Sequence, residues 1–175
     1  MSTNHKCLLF NRHLEITDIN IKKTRRTKMK ENITISGHGE FEIRRQDGTV
    51  VERWEADNTI VNKGKEMVAK LLNGVTSTHF RAIAIGTGAT GVVGANTTLE
   101  AEVKRALATL SYVADYKAVL EYTFSFESGE VLDITEAGVL DNETSGGNLL
   151  DRFTFSAKSV DVDTTLYVKI TITIS

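Results

Sequence analysis

The chain has no proline, one cysteine, and few aromatic residues (7%), and no apolar run in it approaches the roughly 18 residues that a membrane span needs. Cys7 alone cannot close an internal disulfide, and no Cys/His set has zinc spacing, so a disulfide scaffold and a Cys-rich zinc site are excluded. Average usage of about 5% would place roughly nine prolines here; nothing in the pattern explains their absence. What is present is 175 residues with 41% hydrophobic and 25% charged side chains. That is close to an ordinary globular composition, and it rules out wholesale disorder, collagen and a coiled coil. The length suits one domain, with room for an arm.

Charge is unevenly spread. Residues 1–30 hold eight Lys/Arg against Glu15 and Asp18, a net +6, which leaves −8 on the remainder of a chain whose total is −2. A basic arm on an acidic body suits nucleic acid, anionic lipid, an acidic protein, or the acidic body of another copy. Leu8-Leu9-Phe10 is followed at once by polar residues, so no signal peptide is expected. Met29 offers a second start that opens directly into strand-like sequence, which makes a passive extension the plain alternative to a binding arm. Within the arm, Ile19 and Ile21 could add to a neighbour's sheet edge, and Lys22, Lys23, Arg25 and Arg26 form the cationic cluster behind them. Phe10 is the one aromatic nearby, so a single-strand nucleic-acid platform is not expected.

From Asn32 onward the pattern is mostly period two. Phe41 to Arg45 alternates, Asp47-Gly48 marks a hairpin turn, and Thr49 to Glu55 returns, with Thr59 to Val61 as a short continuation. A helix is expected over 62–73, capped by Asn62 and stopped by Asn73-Gly74. Phe80 to Ile85 reads as a strand entering a Gly/Thr-rich loop, then a short helical turn from Leu99 to Arg105 with Glu100 and Lys104 as an i,i+4 pair. Leu107–Tyr116, Ala118–Phe126, Val131–Ile134 with Val139-Leu140, Leu149–Phe155 and Leu166–Ile174 follow as strands. About eight strands and one helix predict a mainly β protein, an antiparallel β-sandwich over 32–175 behind a basic N-terminal arm over 1–31.

No motif for catalysis stands up. Gly86-Thr-Gly88-Ala-Thr-Gly91 fits the dinucleotide fingerprint, but it does not run directly into a helix, and no Lys-Ser/Thr follows as a phosphate loop requires. Glycines that permit positive φ and close packing at a strand exit are the preferred reading. Asp161-Val-Asp163-Thr-Thr reads as an Asx turn, and Asp141, Glu143 and Asp151 lack calcium-loop spacing. His5, His13, His38 and His79 are scattered and suggest no Ser-His-Asp set. Trp54 is expected in a core or interface. No catalytic, cofactor or metal residue is expected.

The order of the runs carries a resemblance. Ile33-Thr-Ile35 with Gly37, Phe41 to Val51, Asn58-Thr-Ile-Val-Asn62-Lys-Gly64, Ile83-Ala-Ile-Gly86-Thr-Gly88, Thr98 to Arg105, Ile134-Thr-Glu-Ala-Gly138-Val-Leu, Leu150-Asp-Arg152-Phe-Thr-Phe155-Ser and Ile170 to Ser175 together are similar to a family of small bacteriophage virion proteins, often labelled tail-fibre or minor structural proteins. The resemblance covers about residues 32–175; residues 1–30 depart from it. It implies a non-enzymatic virion component, made in the bacterial cytoplasm and placed on tail, neck or capsid surface. Its expected partners are other copies of itself, with a trimer as the leading expectation, and other virion proteins. A host-surface glycan bound by Trp54, Tyr112, Tyr116 or Tyr167 is the alternative partner, nucleic acid through the arm a further one, and membrane insertion is not expected. Gly86 and Gly88 are expected to shape the loop, Gly138 to let its strand turn or bulge, and Glu136 to pair with Arg105 or Arg152 at the sandwich rim.

Overall fold

Strands form where apolar and polar residues alternate, because only a half-buried pleat hides one set and wets the other. The computed structural model describes residues 32–175. These hold β1 (Ile35–Arg45), β2 (Val50–Asp57), β3 (Thr59–Ile60), α1 (Asn62–Leu72), β4 (Ala82–Gly86), β5 (Glu102–Leu107), β6 (Thr109–Val113), β7 (Lys117–Ser125), β8 (Leu132–Leu140), β9 (Leu149–Val160) and β10 (Thr164–Ile174). Two five-stranded antiparallel sheets result, in the orders β2-β1-β10-β7-β6 and β3-β9-β8-β4-β5. The arm residues Ile19, Ile21, Lys22, Lys23, Arg25 and Arg26 lie outside the described residues.

The sandwich core takes Phe41 and Ile43 from β1, Leu166, Val168 and Ile170 from β10, and Ile134, Ala137, Val139 and Phe153 from the facing sheet. Phe41 is its aromatic centre. It stacks on Trp54 with ring centroids 5.2 Å apart and meets the Phe153 edge at 5.9 Å. Trp54 is thus a packing residue, as its sequence position suggested. A smaller cluster of Val61, Ala84, Leu99, Leu140 and Leu149 accompanies this core.

The expected helix appears at α1, and Gly74 ends it with φ of 72°. Asn62 is its first residue rather than its cap. Extended Val61 occupies the cap position with no side-chain bond, and the Asn62 N–H donates to the Gly94 carbonyl at 2.8 Å, so a loop supplies what a capping side chain would. The helix seats closely on β9: a Cβ at Gly64 would lie 2.3 Å from the Leu150 carbonyl oxygen.

Three further expectations are corrected. Residues 102–107 are strand β5, not part of a helical turn, because they pair with β4 along its length; Lys104 reaches Glu130, and Glu100 accepts from Thr90, so no i,i+4 pair forms. The run Leu107–Tyr116 is not one strand. It leaves one sheet at Leu107 and joins the other at Thr109, and the buried Ala108 between them donates its N–H to the Arg81 carbonyl at 2.8 Å. Gly138 neither turns nor bulges. It pairs in register with Ala84 and Arg152, while the β8–β9 shifts fall between Ile134 and Glu136 and between Val139 and Leu140. Gly138 is needed for space, since a Cβ there would stand 2.7 Å from the Asp151 carbonyl oxygen.

Candidate functional site

One of the most connected side chains in the described residues is one that solvent never reaches. Glu136 on β8 and Arg152 on β9 are both fully buried, and Arg152 Nε donates to Glu136 Oε2 at 2.7 Å. The carboxylate also accepts the Gly88 N–H (3.1 Å), the Glu100 N–H (3.1 Å) and the Ala101 N–H (2.7 Å). Two ends of the Thr87–Ala101 loop are therefore tied to one carboxylate in the sheet. Arg152 Nη2 extends the cluster to Glu100 Oε2 at 3.3 Å, and Glu100 in turn accepts the Thr90 N–H and hydroxyl at 2.8 and 2.7 Å. The Thr90 backbone bond, then its hydroxyl, leads the interactions that hold the Glu100 carboxyl below its ordinary range.

The glycines of the loop owe their identity to this approach. A Cβ at Gly88 would sit 2.5 Å from Glu136 Oε1, and one at Gly86 2.5 Å from the Ala101 carbonyl oxygen. Neither Gly86 nor Gly88 has a positive φ. Of the two reasons expected from the sequence, positive φ and close packing, only close packing holds here. Glu136 pairs with Arg152 rather than Arg105, which bonds Glu102, and the pair lies in the interior rather than at the rim.

A second, partly buried polar chain ties the two sheets together. The Gly37 N–H on β1 donates to Asn58 Oδ1 at 2.8 Å, and Asn58 Nδ2 donates to Asp151 Oδ2 at 2.5 Å. Asp151 Oδ1 then accepts the Val139 N–H at 2.9 Å, beside the register shift that interrupts the β8–β9 ladder. Burial pushes the Asp151 carboxyl up to about 7, against the lowering by its Asn58 and Val139 donors. Between the ordinary 3.8 and that value the folded state holds a proton that the unfolded state has lost. The contribution of this group is therefore full below about pH 4 and is lost as pH rises to and through 7, at up to ~1.4 kcal/mol per pH unit. Urea unfolding of the wild type and Asp151→Asn at several pH values checks this. The stability of the wild type relative to the variant should fall by about 2–4 kcal/mol across that window; a difference that stays flat would contradict it.

The remaining candidates separate. Ser36, His38 and Asp57 share a cleft of about 580 Å³, but His38 faces Asp57 Oδ1 with Nδ1 (3.1 Å) and Glu55 Oε2 with Nε2 (3.4 Å), so neither ring nitrogen is directed at a serine. Asp141 accepts from Asn148, Glu143 pairs with Arg81 and Asp151 with Asn58, so those three carboxylates do not meet. Asp161 Oδ1 accepts the Asp163 N–H at 3.0 Å, the Asx turn expected there. Of the aromatic platforms, Trp54 is stacked under Phe41, and Tyr167 bonds Glu121 beneath the Arg44 guanidinium. Tyr112 and Tyr116 are exposed. Among the described residues no group of three His, Cys, Asp or Glu stands together as a metal site, and no helix is long and apolar enough to cross a membrane.

Asp151 was weighed from sequence only as a calcium ligand, and its bond to Asn58 was missed. The signal was Leu149-Leu150-Asp151-Arg152-Phe153, where an acid and a base interrupt an apolar strand whose neighbours all belong inside. No family model, no curated protein and no solved structure matches the chain.

Proposed function

We infer that the chain is a non-enzymatic bacteriophage virion structural protein, a tail, tail-fibre, neck or capsid-surface component that assembles through subunit contacts. The observation that supports this is a convergence. The Gly86–Gly88 loop, the Thr98–Arg105 segment, the Ile134–Leu140 run and the Leu150–Ser156 run, four separate parts of the family resemblance, meet at the Glu136 carboxylate. There they do one physical job, holding a long loop onto a sheet by a solvent-excluded ion pair. That gives a rigid two-sheet body whose open edges are hazards in a free protein and useful contacts in an assembly.

Mass spectrometry of density-purified particles from the strain carrying this gene tests the proposal. The chain should be present at a fixed copy number relative to the major shell protein. Particles that are complete and infectious without it would overturn the reading.

A further inference from the structure

Sheet edges differ in how they are guarded. β2 carries Glu52, Arg53, Glu55 and Asp57, β5 carries Glu102, Lys104 and Arg105, and β3 is two residues long. Charges and shortness of this kind discourage strand addition. β6 has neither protection on its outer side. Its sequence Thr109-Leu-Ser-Tyr-Val113 has no charge and no proline, all five residues are exposed, and among the described residues it pairs with β7 alone.

The side chains around it are apolar and uncovered. Leu110 and Tyr112 stand opposite Leu120 and Ala118 of β7. Tyr112, Tyr116, Lys117, Ala118, Ile172 and Ile174 line a shallow depression of about 240 Å³. Tyr112 and Tyr116 are 75% and 72% exposed. Tyr116 is also held at φ of 61°, next to Asp115 at 66°, a left-handed conformation that costs a bulky side chain about 1–2 kcal/mol. Its carbonyl accepts the Ile174 N–H at 3.1 Å, which fixes this turn against the end of β10. A strained turn thus presents a large ring to solvent beside this uncharged edge.

We propose that β6 is a self-pairing edge: two copies of the chain join antiparallel, β6 to β6, about a two-fold axis at Ser111. Residue 110 then faces residue 112 of the second copy, and 109 faces 113. Leu110 meets Tyr112 and Thr109 meets Val113, with no like charges opposed. The two five-stranded sheets become one continuous sheet across the axis. Aromatic side chains bury about 150–250 Å² each. Covering Tyr112, Leu110 and Val113 on both sides removes roughly 600–800 Å², the size of a weak, concentration-dependent contact. A ring of three would need a second edge complementary to β6, and β2, β3 and β5 are charged or short. A pairing through β6 is therefore two-fold, whereas the sequence led to the expectation of a trimer. This pairing does not depend on the virion reading.

Light scattering on the full-length protein across a concentration series tests it, with Ser111→Lys as the variant. Ser111 is exposed, so the substitution leaves the fold intact, which circular dichroism checks, while placing two ammonium groups at the axis. The wild type should approach twice the chain mass as concentration rises, Ser111→Lys should weaken association by at least about tenfold, and outward-facing amides of β6 should exchange slowly only in the wild type. A wild type that stays monomeric throughout the series, whether or not it binds glycan through Tyr112, a trimer, or a Ser111→Lys protein as dimeric as the wild type would overturn the proposal.

Discussion

Replacing Glu136 by alanine should cost the sandwich about 3–5 kcal/mol, the scale found when one partner of a buried ion pair is removed. The loss has two sources. Arg152 remains fully buried with its Nε unpaired, and the N–H groups of Gly88, Glu100 and Ala101 lose their acceptor together. Against a total stability of about 5–15 kcal/mol this is a large fraction, equivalent to roughly 6–20 °C in melting temperature for a domain of this size. Chemical and thermal unfolding by circular dichroism measure it. Replacing Glu136 and Arg152 together by methionine should recover the part of the loss that comes from the unpaired arginine, because no uncompensated charge is then buried, while the three N–H groups still lack their acceptor. A Glu136→Ala protein within 1 kcal/mol of the wild type would show that the cluster does not hold the loop.

Phe41→Ala should be comparably damaging, at about 3–5 kcal/mol. The ring is fully buried and meets Trp54, Phe153 and Phe155, with centroids 5.0 to 5.9 Å away, so its removal opens a cavity between the sheets and ends three aromatic contacts. The site has little freedom to collapse. Gly39 already lies beneath the ring, where its own Cβ would come within 2.6 Å of the Phe41 edge. Trp54 fluorescence in the folded variant gives an independent readout, since loss of the stacked ring should expose the indole and red-shift its emission. Unchanged stability with unchanged emission would contradict the packing described.

Period two made β1 and β10 legible, and the inward set Leu166, Val168, Ile170 and Ile172 is buried as the alternation requires. Asp47-Gly48 and Asn73-Gly74 were equally readable, because a positive φ at each glycine leaves few other residues suited to the place. The Leu99–Arg105 segment was not. Six or seven residues satisfy both a helical pair and a strand, and the deciding partner, β4, lies far back in the chain. The crossing at Ala108 was invisible for a related reason: continuous strand-forming sequence says nothing about which sheet it joins. Glu136 was narrowed to two arginines from sequence but placed at the rim, because an ionised side chain is ordinarily exposed. Its burial depends on three backbone donors brought from two loop ends, a non-local supply that no local pattern encodes. Asp151 was weighed from sequence only as a calcium ligand, and its structural role was hidden for the same cause, since its carboxyl bonds an amide from β8 and a carboxamide just after β2.

Electron cryomicroscopy of intact particles carrying a compact label fused to the C-terminus of this chain tests the central claim most directly. The label should appear at symmetry-related, fixed positions on the tail, neck or capsid surface. Purified particles with no added density, and the labelled protein recovered wholly in the unassembled fraction, would contradict a structural role in the virion.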